Sequence, residues 1–135
     1  MEIVLTNQPG HRQELLTALD TFARENDVAA SVRQAADLAL EEHLTNVLHY
    51  AYQDSGRHEI RVRLELEQGY LVIEIEDDGK AFDPLSPPEV DTSLPLDQKP
   101  MGGLGIHLIR KFMDEVRYRR EANKNILHLR KRLTG

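Results

Sequence analysis

The order of apolar patterns along the chain predicts an α+β domain. Two helical stretches lie between a short first strand and a β-hairpin, a third helix follows a long irregular segment, and two further strands close the sequence. At 135 residues the chain has room for one hydrophobic core and little beyond it.

Residues 2–6 read as a strand, which Pro9 and Gly10 interrupt. Leu15, Leu16, Leu19, Phe22 and Ala23 then recur with the 3.6-residue period of a helix reaching about Asn26. A second helix is expected from Ser31, as its N-cap, to about Tyr52, with Leu40, Leu44, Val47, Leu48 and Ala51 as its apolar stripe. Beside that stripe Leu38, Glu42, Thr45, Asn46 and His49 line up at spacings of three and four. Residues 58–66 alternate, with Ile60, Val62, Leu64 and Leu66 on one face and Glu59, Arg61, Arg63 and Glu65 on the other. Gln68 and Gly69 make the turn into a hairpin partner in which Leu71, Ile73 and Ile75 alternate with Val72, Glu74 and Glu76. A third helix follows Gly105 and carries Ile106, Ile109, Phe112 and Met113. Val116 and Tyr118 then alternate with Arg117 and Arg119, Asn123-Lys124-Asn125 turns, and Leu127 and Leu129 continue a last strand.

An apolar fraction of 40% with 30% charged residues is that of an ordinary globular chain. The lack of cysteine excludes a disulfide framework, a thiolate zinc site and a cysteine nucleophile, and suits a reducing compartment. No stretch approaches the roughly 18 apolar residues of a membrane span, and residues 1–25 lack the pattern of a signal peptide. A cytoplasmic location without a membrane partner is expected. Residues 110–132 hold nine Lys/Arg against three Asp/Glu, while the remainder holds eight against twenty. Because those basic residues alternate with apolar ones, they read as the wet face of a sheet paired to acidic neighbours rather than as a nucleic-acid surface.

Residues 80–101 hold five of the six prolines and no apolar period that a helix or strand could use. A connection of that length inside a compact domain is typically a lid or a binding loop, and a lid is the expectation here.

The flanks of this segment carry the chemistry. Strand register places residues 71, 73 and 75 inward, and the same period carries Asp77 inward just before Gly79. A carboxylate aimed at the helix layer needs a donor, such as a ligand's exocyclic amine or a nearby backbone N–H. At the far end Met101-Gly102-Gly103-Leu104-Gly105 opens a helix, where glycine lets backbone N–H groups approach an anion. On the second helix Glu42 and Asn46 stand at i and i+4; an Asn oxygen can serve Mg²⁺, and a Glu one turn away can deprotonate a hydroxyl. Taken singly these signals are weak. Asp-Gly is a common turn, Gly-Gly-x-Gly is equally a hinge, and a Glu/Asn pair is equally a surface interaction. The six histidines have no metal-binding spacing, and His43 and His49 read as partly buried polar residues.

In combination the segments resemble a known family. Glu42-His43-Leu44-Thr45-Asn46-Val47-Leu48-His49-Tyr50-Ala51-Tyr52 is similar to the N box of the GHKL ATPases. Asp77-Asp78-Gly79-Lys80-Ala81-Phe82-Asp83-Pro84 resembles their first glycine box, and Gly103-Leu104-Gly105 the second. The run from Gly102 through Val116 points to the branch of anti-sigma-factor serine/threonine kinases of the RsbW type, and the resemblance spans about residues 30–132.

This resemblance implies a Bergerat-type two-layer α/β sandwich, with helices on one face of a mixed, mostly antiparallel sheet. It implies ATP and Mg²⁺ as cofactors. Asp77 would accept from the adenine amine, Gly79 and Ala81 would border the base, and Asn46 would hold the metal. Gly102, Gly103, Leu104 and Gly105 would line the phosphates, and Glu42 would be the catalytic base toward a Ser/Thr hydroxyl. The partners implied are a small anti-anti-sigma protein of the STAS type as substrate, a sigma factor or other regulatory target, and a second copy in a homodimer. Three positions depart from the family pattern. Ala81 replaces a glycine, and Tyr50 stands where several relatives carry His, with His49 about 100° away around the helix. Met101 stands where some kinases of the group carry a basic residue, leaving Lys99 as a substitute. An alternative function is a regulatory interaction module that binds ATP and sequesters a partner with little or no phosphotransfer. A histidine-kinase catalytic domain shares the boxes but needs a phosphoacceptor His on a dimerisation helix, and residues before 30 do not read as one.

Overall fold

A computed structural model of the chain describes residues 1–52, 56–81, 83 and 102–134, with the backbone alone at 50, 51 and 102–106. Most of the expected lid, with Lys99 and Met101, lies outside the described residues. The elements run β1 (Glu2–Thr6), α1 (His11–Glu25), α2 (Ala30–Asn46), a π-helical turn (Val47–Ala51), β2 (Glu59–Glu67), β3 (Tyr70–Asp77), α3 (Gly102–Phe112), β4 (Glu115–Glu121) and β5 (Lys124–Arg132).

The five strands form one sheet in the order β1-β2-β3-β5-β4, and all four pairings are antiparallel. The sheet is therefore antiparallel throughout the described residues, where a mixed, mostly antiparallel one was expected. Period-two alternation sets its inner face. Ile60, Val62 and Leu64 of β2, Leu71, Ile73 and Ile75 of β3, and Leu127 and Leu129 of β5 join Leu15, Leu19, Leu40, Leu44 and Ile109 of the helices in one core. The α+β sandwich is thus a helical layer over one sheet face.

The other face is a lattice of charges. Glu74 lies within ion-pair distance of Arg119 at 3.1 Å, His128 at 2.9 Å and Arg63 at 3.9 Å, and Glu76 reaches Lys124 at 3.8 Å and Arg61 at 3.9 Å. Within the basic C-terminal third, Arg119, Lys124, His128 and Arg130 are accordingly paired across strands, as the alternation predicted.

Two-residue turns with left-handed backbone close both hairpins: Gln68 and Gly69 at φ 49° and 86°, and Ala122 and Asn123 at φ 51° and 63°. The second turn falls one position earlier than the sequence suggested, so Lys124 and Asn125 begin β5 instead of forming the turn. Asn123 tolerates this conformation; Ala122 adopts it under steric strain. Helix α2 starts at Ala30 after an extended Ala29, which has no side-chain cap, so Ser31 lies inside the helix and is not its N-cap. Its far end also differs from the expected continuous helix, because the α-helix stops at Asn46 and Val47–Ala51 widens into a π turn. Helix α3 begins at Gly102, four residues before the expected start, so the glycine run forms its first turn.

Candidate functional site

Asp77 is the last residue of β3 and is buried, 2% exposed, at the inward register that its strand dictates. Its neighbours across the sheet are Ile60 on β2 and Asn125 on β5. Oδ1 accepts from the Gly79 backbone N–H at 3.0 Å and from Asn125 Nδ2 at 2.9 Å. Among the described residues both hydrogen bonds fall on that one oxygen. Burial raises the Asp77 pKa and the Asp78 charge adds to this, against the lowering effect of the two hydrogen bonds and of Arg120.

Asn125 holds the turn after Asp77 in place. Its amide also donates to the Lys80 carbonyl at 2.8 Å, while its Oδ1 accepts from Tyr118 Oη at 2.6 Å and from Arg120 at 2.9 Å. Arg120 donates in turn to the Gly79 carbonyl at 3.1 Å. The backbone of residues 79 and 80 is therefore clamped from β4 and β5. Gly79 is buried in this clamp, whereas Ala81 is exposed. Asn125 stands directly opposite Asp77 in the β3–β5 register, a pairing that the sequence alone does not mark.

After α2 and its π turn, the chain comes to this strand end at Tyr52. Tyr52, just after the turn, is half buried. Burial, with the charges of Asp77 and Asp78 nearby, pushes its phenol up. Its ring stacks on His58 with centroids 3.9 Å apart and planes at 9°, and His58 Nδ1 lies 3.4 Å from Asp78. The end of α2, the start of β2 and the end of β3 thus converge.

Upstream on α2, Asn46 is buried at 4% exposure and its Nδ2 has no hydrogen-bond partner among the described residues. An N–H donor enclosed in this way is short of an acceptor, which a ligand's oxygen can supply. Glu42, one turn earlier, is half buried. It lines a cavity of about 160 Å³ with His11, Arg12, Leu15, Glu41, Leu44 and Thr45. Arg12 is held there by Glu41 at 2.7 Å. Helix α3, whose first turn is Gly102, Gly103, Leu104 and Gly105, packs against α2.

Tyr52, beyond the π turn that ends α2, lies near Asp77 and Asp78, while Glu42 and Asn46 stand one turn apart on α2 itself. His49 is exposed, and His43 is wholly buried rather than partly so. Among the described residues no cluster of three or more His, Asp or Glu side chains is arranged to hold a metal ion, and no helix is long and apolar enough to cross a membrane. The donor set fits a nucleotide: an enclosed carboxylate for a base amine, an enclosed amide, and a glycine-rich helix start.

Comparison with known proteins gives the family of the domain. A family model described as a histidine kinase-like ATPase domain matches residues 5–131. The chain belongs to that family. Among its relatives, the serine/threonine-protein kinase BtrW of Bordetella bronchiseptica is 31% identical over 114 residues, covering 82% of this chain and 78% of that protein. The serine-protein kinase RsbW of Bacillus velezensis is 33% identical over 89 residues, covering 59% of this chain; the match spans about half, 52%, of that relative's length. Among solved structures, the RsbU and RsbW domains of a Mycobacterium tuberculosis protein superpose with a TM-score of 0.67 at 15% identity, covering 98% of this chain and 32% of that one. A blue-light activated histidine kinase from Erythrobacter litoralis gives 0.58 at 23% identity, covering 79% and 32%. At these identities the structural likenesses establish the ATPase-domain fold alone.

Proposed function

We propose that the chain is an ATP-dependent serine/threonine protein kinase and anti-sigma-type regulator working in the cytoplasm. Its substrate is a small anti-anti-sigma protein of the STAS type. When not engaged with that substrate it holds a sigma factor or other regulatory target, and it works as a homodimer. The observation that carries the nucleotide reading is the enclosed Asp77 carboxylate, braced by Gly79 and Asn125 on one oxygen at the end of β3.

In this reading Asp77 accepts a hydrogen bond from the adenine amine, and the bracing of Gly79 and Lys80 fixes the backbone along which the base lies. Ala81 borders the same edge. Asn46 ligates Mg²⁺, and the backbone N–H groups of Gly102, Gly103, Leu104 and Gly105 hold phosphate oxygens. ATP supplies the transferable phosphoryl group. Glu42 takes the proton of the partner's Ser/Thr hydroxyl, and its place on the wall of the cavity between α1 and α2 opens it toward an incoming protein. Similarity to RsbW and BtrW supports the kinase assignment.

The experiment is incubation with labelled ATP and a co-encoded small partner of the anti-anti-sigma type, comparing wild type with Glu42→Ala. Label on the partner with wild type alone supports the kinase. A second reading, an ATP-binding interaction module with little transfer, is favoured by Met101, which offers no charge to the phosphates. It predicts ATP-dependent partner binding with no label on the partner from either protein.

A further inference from the structure

His43 follows Glu42 on α2 and is 3% exposed, yet neither of its ring nitrogens has a hydrogen-bond partner among the described residues. Three residues on, Asn46 is equally enclosed and its Nδ2 is equally unpartnered. This spacing makes the two side chains neighbours on one helix surface. Enclosed polar atoms without partners are rare in folded proteins because each loses its hydration and gains nothing in return. Here three such atoms lie within one turn, on a helix whose other buried residues, Ala36, Ala39, Leu40 and Leu44 among them, are apolar. Leucine would fill the space of His43 with no such penalty. Burial also lowers the imidazole pKa to about 4, so at neutral pH the ring is uncharged and offers one N–H donor and one acceptor.

We propose that His43 is a further nucleotide-contacting residue, which together with Asn46 presents N–H donors to the polyphosphate of the bound nucleotide. The assignment rests on the nucleotide site proposed above and adds a residue that none of the three sequence boxes assigns to the ligand. A neutral donor suits the position, since it can bind an anion's oxygen without itself becoming a buried charge when the site is empty. The nucleotide-free protein then carries idle donors that weaken its fold, and the ligand satisfies them. The two states respond oppositely to removal of the ring.

The test uses the full chain with His43→Leu and His43→Gln, read by thermal unfolding without nucleotide and by calorimetric titration with Mg-ADP. The leucine variant should melt roughly 3–6 °C higher than wild type without nucleotide. The same variant should bind ADP roughly ten- to a hundredfold more weakly, while glutamine, which keeps an N–H, should stay within about threefold of wild type. A leucine variant that binds ADP as tightly as wild type overturns the proposal, and so does one that melts lower or fails to fold, since the ring is then structural. Wild-type protein that takes up no ADP removes the nucleotide site itself; wild type that binds, with leucine binding equally, removes only the part given to His43.

Discussion

Asn125 donates its side-chain amide to the Asp77 carboxylate across the β3–β5 pairing, at 2.9 Å between two residues that are 4% and 2% exposed. The same amide and its oxygen also bind Lys80, Tyr118 and Arg120, so a single side chain ties the strand end to the loop that begins at Gly79. The position of the carboxylate thus depends on β5 as much as on its own strand.

Replacing Asn125 by alanine leaves the Tyr118 hydroxyl and the Lys80 carbonyl without this partner in an enclosed place. Stability should fall by about 2–3 kcal/mol, measured by urea denaturation. ATP affinity should fall as well, on the order of tenfold, because the segment behind Asp77 is no longer braced. An Asn125→Ala protein with wild-type stability would show that the clamp contributes nothing.

Asp77→Asn should stabilise the nucleotide-free protein at neutral pH. The folded-state pKa of Asp77 is raised, with burial as the main cause, so ionising it weakens the fold. Below its ordinary value of 3.8 both folded and unfolded chains are protonated there and no penalty exists. The penalty grows as pH rises from that value and is complete above the raised folded-state pKa. The gain in the asparagine variant should therefore be present at pH 7 and vanish toward pH 3.5, as read from unfolding midpoints across that range. A variant less stable than wild type at pH 7 would contradict the assignment of strain to the carboxylate.

Glu42→Ala should retain Mg-ATP binding and lose phosphotransfer by about 10²- to 10⁴-fold, the usual contribution of a general base. Binding by calorimetry and transfer to the partner by label incorporation separate the two. Undiminished transfer would place the base elsewhere.

Glu74 on the outer sheet face shifts the other way. Burial alone would raise its pKa, but hydrogen bonds from His128 and Arg119 and their charges outweigh it and hold the carboxyl below its ordinary 4.5. Its contribution is present above pH 4.5 and is lost as pH falls through the depressed folded-state value. Glu74→Gln should cost up to about 1 kcal/mol at pH 6, the partial exposure of the pair limiting the effect. The difference from wild type should close on acidification to pH 3. A difference independent of pH would mean that packing, rather than charge, is involved.

Much of this was legible because two simple periods govern it. Alternation in residues 58–66 and 71–76 gave β2, β3 and their register, and extending that register by one step placed Asp77 inside. The boxes around Glu42 and Gly103 gave the family. What the sequence hid depended on tertiary partners. Asn125 looked like part of a polar turn, because Asn-Lys-Asn carries turn propensity and nothing local reveals the strand opposite. Ser31 looked like a cap, although the chain enters the helix two residues earlier without one. The π turn after Asn46 leaves no periodic trace over five residues. His43 read as an ordinary polar residue, since its full enclosure arises only when the helix packs into the core.

The central claim is that Asp77 reads the amine of adenine. Calorimetric titration of wild type and Asp77→Asn with Mg-ATP and Mg-GTP tests it most directly, because guanine offers a carbonyl oxygen where adenine offers that amine. Wild type should prefer ATP by roughly a hundredfold or more, since a site built to accept a hydrogen bond repels a second acceptor. Asp77→Asn should lose ATP affinity and most of that preference. Equal affinity of wild type for the two nucleotides, or an unchanged preference in the variant, would contradict the account.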